Sequence, residues 1–558
     1  MDTQPEPSRV SLPDLPEDIL HEILGYFTTI KSCHFRGSSE TWALWRNCRL
    51  NRDDEDWKPV QALRLVCRAF CQVSTPFLVP VLRVGIDSES LNRADQLTQN
   101  PLIAAGVRCV LVSLAYRPKE MAEDAVGYRD GQIKVIENLV GRCQYHVGSS
   151  GVPVHCRRDE ALDISLAVRT YGRMLDAWRD WPGGVSGNAE GFYSKALLSQ
   201  WHEEYRRRYQ DQERLLNGGL FSTTLAAYLS RIPHESLRAL VFQDDPDRSV
   251  EYLYSRQALH ILANDVDKLR RVMIAAHSLK FLENLDPKPE IRSVKLLWEL
   301  PMAIHAAGKH HLRGLFISPL PAKSNVDKLC PSGENYWETL KAAFQTLETV
   351  QVDAGYGDNN QHKLVSSKNR GYITNYLSAL LSGPRLEAIN FDFFGLTPTA
   401  GRSSNNRDRS AENIQINSTL TKAHCQNVKK LNLMYVSLSE EDLVALFSGL
   451  GNKLQLVDLF GVGVLEGGGW TRPLDVLRDK VMRSPRGSRA ELASLCGGGF
   501  DVVKKERFDA GGYWDYDTSD EDDSIHKAAK RYVTGEEAVN PIAAVEMQAS
   551  DLTSSSPA

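Results

Sequence analysis

The chain has 558 residues, of which 42% are hydrophobic and 25% charged, and its formal net charge is −5 at pH 7. That length exceeds one compact core, so several modules or a repeat array are expected, and the apolar content excludes wholesale disorder. The mild acidic balance disfavours a broad basic surface for phosphates, and no apolar run approaches the roughly 18 to 20 residues of a bilayer-spanning helix. Neither a nucleic-acid nor a membrane partner is expected.

The first eleven residues read as a disordered polar tail. They carry no apolar signal-peptide core, so a cytoplasmic and/or nuclear location is expected, with the 10 cysteines as reduced thiols. From Ser11 the text becomes SLPDLPEDILHEILGYF. Ile19, Leu20, Ile23, Leu24 and Phe27 share one helical face, with Pro16 at the start and Glu17 and Asp18 complementing the positive dipole end. Residues 28 to 59 are polar and mixed and read as a long loop. A second helical run follows, carried by Val60, Leu63, Val66, Cys67, Phe70 and Val73, before Pro76 and Pro80 break the chain into short extended pieces.

Beyond residue 80 short segments recur with apolar residues at offsets 0, 3 and 5. They are Val107/Val110/Val112, Leu237/Leu240/Phe242, Leu312/Leu315/Ile317, Leu347/Val350/Val352, Leu386/Ile389/Phe391, Val428/Leu431/Leu433 and Leu454/Val457/Leu459. The last five start at intervals of 35, 39, 42 and 26 residues, and residues 278 to 285 read as a degenerate unit before them. Amphipathic stretches lie nearby or between them, at Arg256 to Ala276, Tyr336 to Leu347, Tyr372 to Leu381 and Glu440 to Leu450. One strand and one helix per unit is the signature of a leucine-rich solenoid, although these units are longer than standard ones.

Residues 116 to 232 read as a helical insertion, with three–four spacing over Asp159 to Trp178 and Gly191 to Leu216. A polar loop covers residues 398 to 412. The acidic run Asp515, Asp517, Asp520, Glu521, Asp522 and Asp523 opens a tail expected to be disordered over 515 to 558.

The two-part N-terminal pattern resembles the F-box family. The matching residues are Leu15-Pro16-Glu17-Asp18-Ile19-Leu20, Ile23-Leu24 and Leu63-x-Leu65-Val66-Cys67-Arg68-x-Phe70. The resemblance implies three short helices that dock on a Skp-type adaptor and, through it, on a cullin, while the C-terminal part holds an unknown protein substrate. It implies no catalysis and no cofactor. By that resemblance the docking residues are Leu15, Pro16, Ile19, Leu20, Ile23, Leu24, Leu65, Val66 and Phe70. A small domain cannot bury so wide an apolar stripe internally, and surplus apolar helix faces are what partner grooves take up.

The expected fold is therefore an α/β repeat protein, an N-terminal all-α F-box at 12–84 with an inserted loop at 28–59, then an irregular leucine-rich-repeat solenoid. Its first unit covers 85–115, the helical insertion 116–232, the main solenoid 233–497 and an acidic tail 498–558. The expected function is substrate recognition in a Skp–cullin–F-box ubiquitin ligase. The rivals are an F-box scaffold outside a ligase and an enzyme with a site in the insertion.

Other constellations weigh less. Cys143, His146, His155 and Cys156 bring metal-type ligands close in sequence, but adjacent His155-Cys156 chelates poorly and no metal is expected. His310-His311 reads as a surface pair, and Cys67 and Cys71 as core of the second helix. The glycine runs at 467–469 and 497–499 lack a phosphate-cradling Lys-Ser/Thr. Arg206-Arg207-Arg208 sits among Glu203, Glu204 and Asp211 and reads as a solvated ion-paired face. Exposed strand positions where a substrate could touch are Arg238, Arg313, Asn390, Asn432 and Asp458.

Overall fold

The computed structural model describes residues 16, 19–20, 58–147, 158–179, 195–244, 265–283, 285–308, 312–321, 325–331, 333–354, 367–393, 419–420, 425–465, 468–484, 488–495, 497–498, 500 and 524–543. Leu15, Ile23, Leu24, His155, Cys156, the loop at 398–412 and the acidic run at 515–523 lie outside them. The chain divides into two compact units, Met1–Ser293 with Ala306–His310, and Val294–His305 with His311–Ala558.

In the first unit the second apolar run is not one helix but two, α1 (Lys58–Leu63) and α2 (Arg68–Ser74). The break is a tight turn: the Leu65 N–H donates to Ala62 O and the Val66 N–H to Leu63 O, both at 3.1 Å. Cys67 is extended, at φ −161° and ψ 173°, and redirects the chain into α2. This corrects the continuous three–four reading, because Leu65 and Val66 leave the helical face that Leu63 and Phe70 occupy. After α2 come a turn of 3-10 helix, Thr75–Phe77, and strand β1 (Val81–Val84).

Strands β1, β2 (Cys109–Ser113) and β3 (Ala239–Gln243) pair in parallel, with Leu82, Val110 and Leu240 in one register and Val84, Val112 and Phe242 in the next. Helix α3 (Ser88–Gln99) connects β1 to the second strand region, capped by the Asp87 carboxylate, which accepts from the Ser90 N–H at 2.7 Å. Gly106 permits a close approach there. A Cβ on it would lie 1.6 Å from Pro76 O, so only glycine lets the 3-10 turn after α2 close against the entry to β2.

Between β2 and β3 the chain builds α4 (Ala125–Val147), α5 (Arg158–Arg179), α6 (Lys195–Leu216) and α7 (Leu220–Leu229). Tyr128, Tyr171, Met174, Trp178, Leu198, Trp201 and Tyr205 form their buried core together with α8 (Val266–Ile274). The Trp178 and Trp201 rings meet edge to face, with centroids 6.1 Å apart. The expected degenerate unit at 278–285 is corrected: Leu279–Leu282 is one helical turn, capped by the Ser278 hydroxyl, which accepts from the Phe281 N–H.

In the second unit five strands follow the apolar motifs and one lies beyond them. They are β4 (Gly314–Ser318), β5 (Thr349–Asp353), β6 (Ala388–Asp392), β7 (Lys430–Met434), β9 (Leu456–Phe460) and β11 (Arg489–Ala493). They pair in parallel in that order. Two short strands, β8 (Ser437–Leu438) and β10 (Gly463–Val464), make a parallel ladder of their own.

In both units, every strand that carries a motif begins two residues after the motif's first apolar residue. The residues at offsets 3 and 5 therefore point to the same side of the strand and are all buried. Helices α10 (Glu334–Phe344), α11 (Ser367–Leu380), α12 (Glu440–Gly449) and α13 (Thr471–Arg483) cover that side, preceded by α9 (Leu296–Ala306). Phe344 and Tyr376 meet edge to face at 6.3 Å, and the Tyr376 hydroxyl donates to Leu297 O at 2.9 Å. Helix α12 starts where the sequence marks it: the Ser439 hydroxyl accepts from the Asp442 N–H, and Glu440, Glu441 and Asp442 fill the first turn.

The disordered-tail expectation is corrected at residues 524–534. Ser524–Thr534 forms α14, which packs on α13, with Ala529 and Val533 buried; Arg478 lies 4.3 Å from the Tyr532 ring centroid.

Candidate functional site

The N-terminal module sorts its apolar side chains into two sets. Leu20, Phe70 and Val73 are 2%, 1% and 5% exposed and form one cluster, edged by Leu63, Cys67 and Phe77. The two apolar runs read from the sequence thus meet in space. Leu20 is held in a helical turn by its N–H, which donates to Pro16 O at 3.1 Å, and Ser74 Oγ donates back to Phe70 O to secure the end of α2. Leu65 and Val66, by contrast, are 89% and 62% exposed, and Ile19 is 38% exposed. Pro16 is exposed too.

Of the expected docking residues, the structure therefore places Leu20 and Phe70 inside the module. Those two are corrected from contact residues to core residues. Pro16, Ile19, Leu65 and Val66 are on its surface. Beside them, Arg64 holds its Nε out of solvent with no acceptor. A buried donor without a partner costs about 1–3 kcal/mol.

A second arrangement lies on the strands of the second unit, on the side opposite the buried apolar rows. There Gln351, Asn390, Asn432, Asp458 and Glu491 occupy one register across β5, β6, β7, β9 and β11. Three positions named from the sequence, Asn390, Asn432 and Asp458, thus stand side by side, while Gln351 and Glu491 extend the row and were missed. Only the paired register, not the linear spacing, could reveal them. The side-chain oxygens of Gln351, Asn390 and Asn432 are buried and have no donor. Burial, and then the neighbouring Glu491, push the Asp458 carboxyl above its ordinary range. Arg313 stands apart, 3.8 Å from Glu348, and Arg238 lies just before β3, where its N–H donates to Arg108 O.

The helical insertion holds a buried polar cluster. Arg117 is buried; its Nε donates to Ile274 O at 3.1 Å, its N–H to Gln212 Oε1, and Gln212 Nε2 returns a bond to Arg117 O. Desolvation lowers the Arg117 guanidinium to about 10. Tyr116 exchanges backbone hydrogen bonds with His277, and its hydroxyl donates to Glu213, which also pairs with Arg292 at 2.9 Å. Burial, then Arg117, lower His277 to about 3, so the ring is neutral near pH 7. Hydrogen bonds of this kind fasten α6 and α8 to the segment after β2, which is a structural role.

Among the described residues no group of three or more His, Cys, Asp or Glu could hold a metal ion, and no helix is long and apolar enough to cross a membrane. Cys67, Cys71, Cys109, Cys330 and Cys425 form no disulfide. Arg207 and Arg208 both pair with Glu204 at 2.8 Å.

Parallel strands, many helices and a small N-terminal helical module with exposed apolar side chains define a mixed α/β chain. The module's family follows from comparison: residues 12–53 match the model of the F-box domain. The chain thus carries an F-box domain near its N-terminus. The match takes in most of the stretch read as an inserted loop and ends before Leu65, Val66 and Phe70. No curated protein and no solved structure matches the chain. F-box domains generally bind Skp-type adaptors, and F-box proteins are generally non-catalytic.

Proposed function

We propose that the chain is the substrate-recognition subunit of a Skp–cullin–F-box ubiquitin ligase. On this reading the N-terminal module docks on a Skp-type adaptor and, through it, a cullin, while the parallel strand–helix units form a leucine-rich-repeat solenoid that holds a protein substrate. The observation that carries the reading is the exposure of Leu65 and Val66 beside a buried Leu20–Phe70–Val73 core, in a chain whose residues 12–53 match the F-box. Two large apolar side chains on a hydrogen-bonded turn are the kind of anchor that a hydrophobic groove accepts. The solenoid reading is supported by strands of near-constant length, paired in chain order, each with its apolar residues turned to the helix-covered side.

The substrate is received, on this reading, by the strand side opposite the helices, which is partly open on β6, β7, β9 and β11. Co-purification tests the proposal. Wild-type chain is expected to bring down the adaptor and the cullin, and Leu65→Asp with Val66→Asp to lose both. Undiminished recovery with the double variant would remove the docking assignment.

A further inference from the structure

The strand row in the second unit contains an unmet demand for donors. Gln351 is 5% exposed, yet its Oε1 has no donor, and the same holds for Asn390 Oδ1 and Asn432 Oδ1 on the next two strands. Neighbouring strands are about 4.8 Å apart, so these oxygens recur at that spacing across the sheet. The row continues into Asp458, directly opposite Glu491 in the β9–β11 register. Like charges placed opposite each other on adjacent strands repel. Glu491 is relieved by Lys530 of α14, at 2.6 Å. Asp458 has no such relief, since the influences on it are burial and Glu491 alone. The cations on this face, Lys430 and Arg489, sit two residues earlier, at the starts of β7 and β11, away from Asp458.

Resting on the reading that this array holds the substrate, we propose that the row Gln351–Asn390–Asn432–Asp458 seats an extended, lysine- or arginine-bearing segment of the recruited protein. A cationic head over Asp458 supplies the opposite charge that the carboxylate lacks and offsets its repulsion from Glu491. The amide oxygens, closed to solvent in the free chain, take the segment's N–H groups once those side chains turn outward on binding. A ligand rich in acceptors, such as an acidic or phosphorylated segment, would leave those oxygens unmet and add a third negative charge.

Fluorescence anisotropy on the full chain tests this, with labelled peptides that alternate alanine with lysine, glutamine or glutamate. The lysine peptide is expected to bind about tenfold more tightly than the glutamine one, a difference of about 1.4 kcal/mol, and the glutamate peptide to bind least. Asp458→Asn is expected to remove that preference while leaving the melting temperature unchanged or higher, because it deletes a repelled, half-buried charge. Asn432→Leu should weaken binding several-fold. Glu123→Gln, an exposed acid ion-paired with Lys119, controls for net charge and should change nothing. Equal binding of the three peptides, tighter binding of the glutamate peptide, or a lysine preference that survives Asp458→Asn would overturn the proposal. Loss of the preference in Glu123→Gln would also overturn it. Leu65→Asp with Val66→Asp separates the two readings. Peptide preference without adaptor recovery in the wild type defeats the ligase reading alone, and adaptor recovery without peptide preference defeats the basic-segment reading alone.

Discussion

The N-terminal module and the strand array use apolar residues in opposite ways. In the array, each leucine, valine, isoleucine or phenylalanine of the offset-0, 3 and 5 motif is buried, because strand alternation and a covering helix give every one a place. In the module, residues of the same types are divided: Leu20, Phe70 and Val73 go inside, while Leu65 and Val66 are thrown outward by the turn between α1 and α2. The array satisfies its apolar pattern with its own chain, and the module carries more of that pattern than its small core can take up. On the proposed reading, that surplus is the surface an adaptor takes up.

The sharpest way to break this contrast is to strike the module's inside. Phe70→Ala is expected to cost about 3–5 kcal/mol, and hydrogen exchange or limited proteolysis should show local opening over residues 58–77. Protection left intact there would mean that Phe70 is not core. A second, intermediate effect separates the insertion from both regions. The folded-state value of His277, about 3, is lower than its unfolded value of about 6.5. Its contribution to stability is thus full above the unfolded value and is lost as pH falls towards the folded one. Wild-type melting temperature should therefore drop more steeply on acidification than that of His277→Phe, and parallel curves would refute the assignment. The smallest effect belongs to the module's outside: Leu65→Ala should change stability by no more than about 0.5 kcal/mol, as read from the same protection pattern. A loss comparable to that of Phe70→Ala would erase the distinction between the two sets.

Much of the architecture was legible because its causes are local. The apolar triplets located seven strands, and the three–four spacings at Asp159 to Trp178 and Glu440 to Leu450 foretold α5 and α12 within a residue or so. Strand β11 escaped because its inward residues are only Ala490 and Leu492, flanked by Arg489 and Glu491, which read as surface. Helix α14 escaped because its short apolar set follows an acidic run and gains its stability from packing on α13. At the candidate docking site, periodicity grouped Leu63, Val66 and Phe70 on one face. It could not foresee the turn at Arg64–Cys67 that sends Val66 one way and Phe70 the other. The row from Gln351 to Glu491 was half legible, since Asn390, Asn432 and Asp458 stand at predictable strand positions. Their alignment with Gln351 and Glu491 is set by a register between residues far apart in the chain.

The division of the module into an inside and an outside meets its most direct test in a binding titration. Full-length wild type, Leu65→Asp with Val66→Asp, and Phe70→Ala are each titrated with a purified Skp-type adaptor while their melting is followed. The double variant should lose adaptor binding while melting as the wild type does, whereas Phe70→Ala should lose binding and local structure together. Retained binding in the double variant, or a loss of binding accompanied by a fall in its stability equal to that of Phe70→Ala, would contradict the account.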